Sequence, residues 1–330
     1  MTALRRTDRP LRLRLLLAGL LACALIAGYL VGAGRAAPIG HWRSDEGRTA
    51  YLEAYEAAFA EMPDPSEVRD IRTGFGIVRV YRFEGAGPAR HPLMVLPGTA
   101  SGAPVMADNL PSLLEIGDVY AMDLLGEPGR SVQERPLTSD ADKAAWLAQV
   151  LAALPEEQFH LLGLSIGGWT VTNLALHHPE RAASLILLDP VQTFDDIPAG
   201  TALRSIPAAF PWMPRSWRDS FSSYTAGGAP VEDVPVARMI EAGMKNYRMV
   251  QPSPARITPE QIGTLQMPVL AILAGQSVMH DPPTAERTAR ASLAEGRIEV
   301  LPEASHALNG EHPDEIAALT GEFLAEVEER

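Results

Sequence analysis

The sequence predicts an α/β fold, a mostly parallel sheet covered by helices on both faces and interrupted by an inserted helical lid. Three observations lead there. Short apolar runs bounded by Gly, Pro or Asp recur along the chain. Helical stretches separate them. One long segment, 191–262, breaks the alternation, being rich in Pro, Trp, Tyr and Met with no clear strand.

In chain order, runs 68–72 and 77–83 flank Gly74 and Gly76, which predicts an antiparallel hairpin. Runs 93–96, 118–122, 159–163, 184–188, 268–274 and 297–301 are short and apolar. Such runs suit strands buried on both faces of a parallel sheet. Segments 146–154, 167–178, 283–294 and 314–327 read as the covering helices. Ligands bind such sheets at the C-terminal ends of the strands, so motifs there matter most.

Ahead of the sheet, Tyr51, Tyr55, Phe59 and Met62 recur at helical spacing, with Glu53, Glu56 and Glu61 off that stripe. The pattern predicts a helix docked on the body by its apolar side. Its acidic face argues against lying on anionic lipid.

The organisation expected is a basic cytoplasmic segment, 1–14, then a transmembrane signal-anchor, 15–34. A juxtamembrane segment, 35–66, leads into the first part of the core, 67–190. The lid, 191–262, precedes the second part, 263–330. Residues 15–34 carry no charged side chain, and twenty helical residues span ~30 Å, the thickness of a bilayer core. Arg5, Arg6, Arg9, Arg12 and Arg14 in front of them predict a cytoplasmic N-terminus, with the body on the extracytoplasmic side. Cleavage near Gly34 or Ala36, giving a secreted body, is the alternative.

Apolar residues make up 46% of the chain and charged residues 21%, a globular composition. The formal net charge is −13. Five of the 28 basic residues and one of the 41 acidic residues precede the apolar run, so the remainder carries about −17. A body this acidic repels phosphate backbones, which argues against a nucleic-acid partner. The single cysteine, Cys23, lies in the apolar run, so the body holds no internal disulfide.

The chemistry-bearing motif is Gly163-Leu164-Ser165-Ile166-Gly167-Gly168, between a predicted strand and a predicted helix. A serine on a sharp strand-to-helix turn has strained backbone angles and crowded neighbours, which glycines at 163 and 167 relieve. The turn aims the hydroxyl away from the sheet and puts the Ile166 N–H at a helix N-terminus, where an oxyanion would form.

On these residues the body, from about Val68 to Val327, resembles the α/β-hydrolase superfamily, specifically its carboxylesterase-like branch with a G-x-S-x-G-G elbow. Leu96-Pro97-Gly98-Thr99 resembles the oxyanion loop of that superfamily. Residues 122–131, with Asp123, Gly126, Gly129 and Ser131, resemble its D-x-x-G-x-G-x-S turn with one extra residue. Ala304-Ser305-His306 resembles its histidine loop, with Ala304 and Ser305 in place of small glycine positions.

A serine hydroxyl needs a base with a pKa near the working pH, and histidine fits. Of eight histidines, His306 follows the last predicted strand and comes last in the order serine, acid, histidine. The placement of Asp281 after the penultimate strand resembles the acid loop of esterases in this branch. Many relatives instead carry the acid where Val278 stands, and some shift it to the position of Asp189, the alternative here. Pro97 has no N–H to give, so Thr99 is the expected second oxyanion donor, with Ala100 as fallback.

Trp212, Trp217, Tyr224 and Met244 of the lid are candidates for an apolar acyl pocket, and a hydrophobic or lipid-like ester is the expected substrate. No cofactor and no metal is expected, since H-E-x-x-H and the dinucleotide fingerprint are both absent. An acyltransferase and a ligand-binding scaffold of the same fold are the alternative readings.

Overall fold

A computed structural model describes residues 37–206, 208 and 210–329. The segments expected to be cytoplasmic and membrane-spanning, 1–14 and 15–34, lie outside the described residues. Among the described residues no helix is long and apolar enough to cross a membrane.

The body opens with a two-residue strand, β1 (His41–Trp42), and helix α1 (Asp45–Phe59). The Ser44 side chain caps α1 by accepting the Gly47 N–H at 3.0 Å. The tyrosine stripe faces inward, with Tyr51 and Tyr55 fully buried. The Tyr51 hydroxyl donates to the Pro128 carbonyl (3.1 Å), and the Tyr55 hydroxyl donates to the Asp123 carboxylate (3.1 Å).

Strands β2 (Glu67–Thr73) and β3 (Gly76–Phe83) form the expected hairpin. Next come β4 (Leu93–Leu96), the short α2 (Leu110–Leu114), β5 (Val119–Met122) and the short β6 (Val132–Gln133). Helix α3 (Asp140–Ala152) begins six residues ahead of the expected start at Trp146. Its first turn is polar and invisible to apolar periodicity, but Ser139 and Asp142 form a capping box there.

Strand β7 (Phe159–Leu164), helix α4 (Ile166–His177) and strand β8 (Ala182–Leu188) follow. The lid segment contains α5 (Ala199–Ser205), α6 (Arg215–Thr225), α7 (Pro235–Asn246), β9 (Tyr247–Arg248) and α8 (Pro259–Ile262). The chain closes with β10 (Val269–Ala274), α9 (Pro282–Ser292), β11 (Gly296–Leu301), α10 (Leu308–Glu311) and α11 (Pro313–Glu328).

The main sheet runs β11-β10-β8-β7-β4-β5-β3-β2, with β6 beside β3. Every pair from β11 to β5 is parallel, and β3 and β2 continue antiparallel. Every residue of β4, β7 and β10 is buried, as strands covered on both faces require. One apolar cluster includes Trp146, Trp169 and Ala289 from α3, α4 and α9. The other includes Tyr55, Ile316 and Phe323 from α1 and α11. From β4 the chain passes to β5 on one side, and β7 then takes the other. The C-terminal ends of β4 and β7 therefore border a topological switch point, where open α/β sheets place their ligands.

The lid holds one strand that the sequence does not announce. β9 pairs antiparallel with β1, matching Trp42 to Tyr247. Two-residue strands are too short for any alternation to show. Helix α7 also packs against α1, where Gly47 meets the Asn246 side chain.

Candidate active site

Ser165 connects β7 to α4 with φ 55° and ψ −115°, in a backbone region that side chains rarely occupy. Close packing holds it there. A Cβ on Gly167 would lie 2.5 Å from the Leu96 carbonyl oxygen, and a Cβ on Gly163 would collide with the backbone of Gly167. The Ser165 N–H donates to the Leu188 carbonyl at 2.9 Å, tying the elbow to β8.

The elbow brings three functional groups into line. Ser165 Oγ lies 2.9 Å from His306 Nε2. His306 Nδ1 lies 2.6 Å from Asp189 Oδ2. Asp189 directly follows β8, is fully buried and has φ 41°. Its carboxylate also accepts the Ala274 N–H (3.0 Å) and the Ser277 hydroxyl (2.6 Å). His280 Nε2 stands 3.1 Å from Asp189 Oδ1 but out of line for a hydrogen bond. Burial opposes the charge of Asp189. The two imidazoles beside it outweigh that penalty and hold its pKa well below the usual carboxylate range. An acceptor that stays ionised is what an imidazole needs to carry a transient positive charge.

The acid expected first, Asp281, is elsewhere. It is exposed and caps α9, its carboxylate accepting the Thr284 N–H (3.1 Å) and hydroxyl (2.6 Å). Those two bonds lower its pKa. The physical reason was present in the chain. Pro282 and Pro283 begin a helix at once, and an aspartate directly before such a start is a preferred N-cap. The alternative, Asp189, is the carboxylate on His306.

The expected oxyanion loop follows β4. The Ala100 N–H is already given to Glu127 Oε2 at 3.0 Å, which removes the fallback and leaves the Thr99 amide. Ser101 braces the turn by donating to the Gly98 carbonyl at 2.6 Å. Ile166 is the first residue of α4, so its N–H has no intrahelical partner. A cavity of about 200 Å³ opens beside these amides, walled by Thr99, Ile166, Leu124, Leu125, Trp169 and Met249.

None of the four lid residues proposed for an acyl pocket lines that cavity. Trp212 is 75% exposed. Trp217 and Tyr224 border a separate surface hollow with Leu203 and Phe221. Met244 is half-buried on α7. Aromatic and sulfur side chains advertise apolar contact without saying which one. The lid residues that line that cavity are instead Met249, just beyond β9, and 251–254 after it.

Three residues around the site were not singled out from sequence. Ser277 and His280 lie in the loop after β10, where attention fell on Asp281. Glu127 lies within the turn that carries one residue more than the superfamily pattern, and that irregularity was its signal.

The match to known proteins agrees with this geometry. Residues 91–228 match a family model described as alpha/beta hydrolase fold. An uncharacterized carboxylesterase, nap, of Bacillus subtilis (strain 168) is 26% identical over 82% of this chain and 90% of its own. Carboxylesterase YbfK of the same organism is 24% identical over 83% of this chain and 93% of its own. The crystal structure of that carboxylesterase, CesB (YbfK), superposes with a TM-score of 0.77 at 22% identity, covering 85% of this chain and 99% of that chain. Fold and site together define the class: this chain is a hydrolase with the α/β-hydrolase fold. Within that class it is similar over most of its length to bacterial carboxylesterases.

Proposed function

We propose that the chain hydrolyses carboxylic esters through an acyl-enzyme on Ser165. The observation that carries this reading is the continuous contact from Ser165 Oγ through the His306 ring to Asp189, 2.9 Å and 2.6 Å long. His306 Nε2 takes the hydroxyl proton as Oγ bonds to the acyl carbon. Asp189 holds the ring by Nδ1 and stabilises its charged form. The amides of Thr99 and Ile166 hold the oxyanion, a contribution of typically ~3 kcal/mol each. His306 then returns the proton to the departing alcohol. Water then bonds to the acyl carbon as His306 takes its proton, and His306 returns that proton to Ser165 Oγ as the bond from Oγ to the acyl carbon breaks and the acid leaves.

The small cavity beside the oxyanion amides favours short ester arms. A series from acetate to octanoate esters tests this, with kcat/KM expected to peak at short chains. A fluorophosphonate probe on the full chain tests the mechanism. Labelling should occur at Ser165 and vanish in Ser165→Ala, while the melting temperature stays within about 2 °C. Label on any other residue, or none on the folded protein, overturns the reading.

We further propose that the chain is anchored in a membrane by its N-terminal segment. Residues 15–34 span the bilayer behind five arginines, with the catalytic body on the extracytoplasmic side. Its support is the uncharged run and the basic flank. Fractionation of cells expressing the full chain should put the protein in membranes and resistant to high-salt extraction. A processed protein beginning after residue 34 would favour secretion instead.

A further inference from the structure

We propose that the cavity beside the Thr99 and Ile166 amides is a subsite for a hydroxyl group carried on one arm of the ester, with Glu127 as the residue that recognises it. The proposal rests on the ester-hydrolase reading and adds the substrate class to it.

The cavity is not uniformly apolar. Opposite Leu124, Leu125 and Trp169, its wall includes Glu127, Lys143 and Gln251. Glu127 is 5% exposed and is part of the cavity wall. Oε2 accepts the Ala100 N–H at 3.0 Å and Oε1 accepts Gln251 Nε2 at 3.2 Å. A carboxylate has about four acceptor positions, so two remain. Ala100 adjoins Thr99, and consecutive residues lie about 3.8 Å apart. The carboxyl therefore stands one hydrogen bond beyond the neighbour of Thr99, no more than about 7 Å from the amide assigned to the oxyanion, within reach of a substituent a few atoms from the scissile carbonyl.

The chemistry of the other polar groups selects the ligand. Lys143 is the nearest cation, but its ammonium is already committed. It donates to the Pro252 carbonyl (2.7 Å), contacts Asp140 (3.3 Å) and lies over the Trp169 ring at 4.8 Å from the centroid. A ligand carboxylate would meet Glu127 without a free cation to offset the repulsion. Burial pushes the Glu127 carboxyl up to about 7, so both its forms are present near neutral pH. A hydroxyl donates to the charged form and can accept from the neutral one. An ammonium suits only the charged form. A plain alkyl arm leaves the buried carboxyl with no new partner, and sites built around buried polar groups reject such analogues strongly.

The test uses matched pairs on the full chain. Methyl 3-hydroxybutanoate against methyl butanoate reads the acyl arm, and 3-hydroxypropyl acetate against butyl acetate reads the alcohol arm. Acid release is followed by pH-stat, with Glu127→Gln and Glu127→Leu beside the wild type. The wild type should favour the hydroxylated member of one pair by about tenfold or more in kcat/KM, the range of a hydrogen bond to a charged group. Glu127→Gln should keep part of that ratio, and Glu127→Leu should bring it to one or below. Equal turnover within both pairs, or a ratio that survives in Glu127→Leu, overturns the subsite and leaves ester hydrolysis standing. Failure to turn over even the plain esters overturns both. If Glu127→Leu does not fold, the wild-type ratio and Glu127→Gln decide.

Discussion

The elbow and the lid are held by different means. At the elbow, backbone meets backbone. Gly163, Gly167 and Leu96 approach so closely that no side chain fits between them, and Ser165 is forced into its unusual conformation. In the lid, side chains and short pairings do the holding. Helix α7 is seated against α1 and by the β1–β9 pair, whereas the stretch from α5 to α6 turns Trp212, Trp217, Leu203 and Ile206 toward water. The contrast teaches where each kind of error will be felt. A change at the elbow end of the sheet alters chemistry. A change in the seated part of the lid alters stability. A change on the lid's outer surface should alter little.

The sharpest break in that comparison is at the acid. Asp189→Asn keeps the shape of the side chain but cannot hold His306 in the same tautomer with the same charge. We expect kcat for a short ester to fall by about 10⁴-fold, with little change in KM. Asp281→Asn should change kcat less than twofold, since that residue caps α9. Measuring both variants in one assay decides which carboxylate serves the histidine. Equal losses would sink the assignment.

This pair also shows what was legible in the sequence and what was not. The sheet strands were visible because each is a short apolar run with punctuated ends, and the structure places them within about two residues of the expected bounds. Ser165 and His306 were marked by local spacing and chain order. The acid was not. Asp189 and Asp281 each lie between a strand and the next element and each precede a proline, and only β8 lying beside β10 brings Asp189 under His306. Long-range register decided between them. The same limit explains the lid, where Trp212 and Trp217 read as pocket residues although no local pattern says which way they face. The β1–β9 pair joins residues about two hundred positions apart, and nothing near either strand announces it.

Glu127 gives a pH-dependent test of the elbow side. Burial raises its carboxyl from the ordinary 4.5 to about 7. Between those values the folded protein holds a proton that the unfolded chain has released, so stability falls as pH climbs through that window. Above it the penalty is complete, at most about 3 kcal/mol from the size of the shift. Glu127→Gln removes the titration. Its melting temperature relative to the wild type should rise from pH 5 to pH 8. A constant difference across that range would mean the carboxyl is not desolvated as described.

The seat of the lid comes next in expected effect. A Cβ on Gly47 would lie 2.9 Å from the side chain of Asn246, so Gly47→Leu forces α1 and α7 apart. Overpacking of this kind costs typically about 1–3 kcal/mol. Denaturant unfolding should show the loss. Turnover of a short ester should fall far less than in Asp189→Asn, because α7 supplies no group to the serine, histidine and acid. A loss of activity as large as that of Asp189→Asn would show that the lid's seat governs the chemistry after all.

The smallest effect is expected on the outer lid. Trp212 is 75% exposed and touches Phe210 with ring centroids 5.5 Å apart. Trp212→Ser removes that ring contact at an exposed position, so stability should move by no more than about 0.5 kcal/mol. Hydrolysis of short, water-soluble esters should be unchanged, because the residue does not border the cavity at Thr99 and Ile166. A kcat/KM shift beyond twofold on such a substrate would mean that the α5–α6 face folds down over Ser165 during turnover. The lid would then belong to the reacting site as fully as the elbow does, and the division drawn between the two regions would fail.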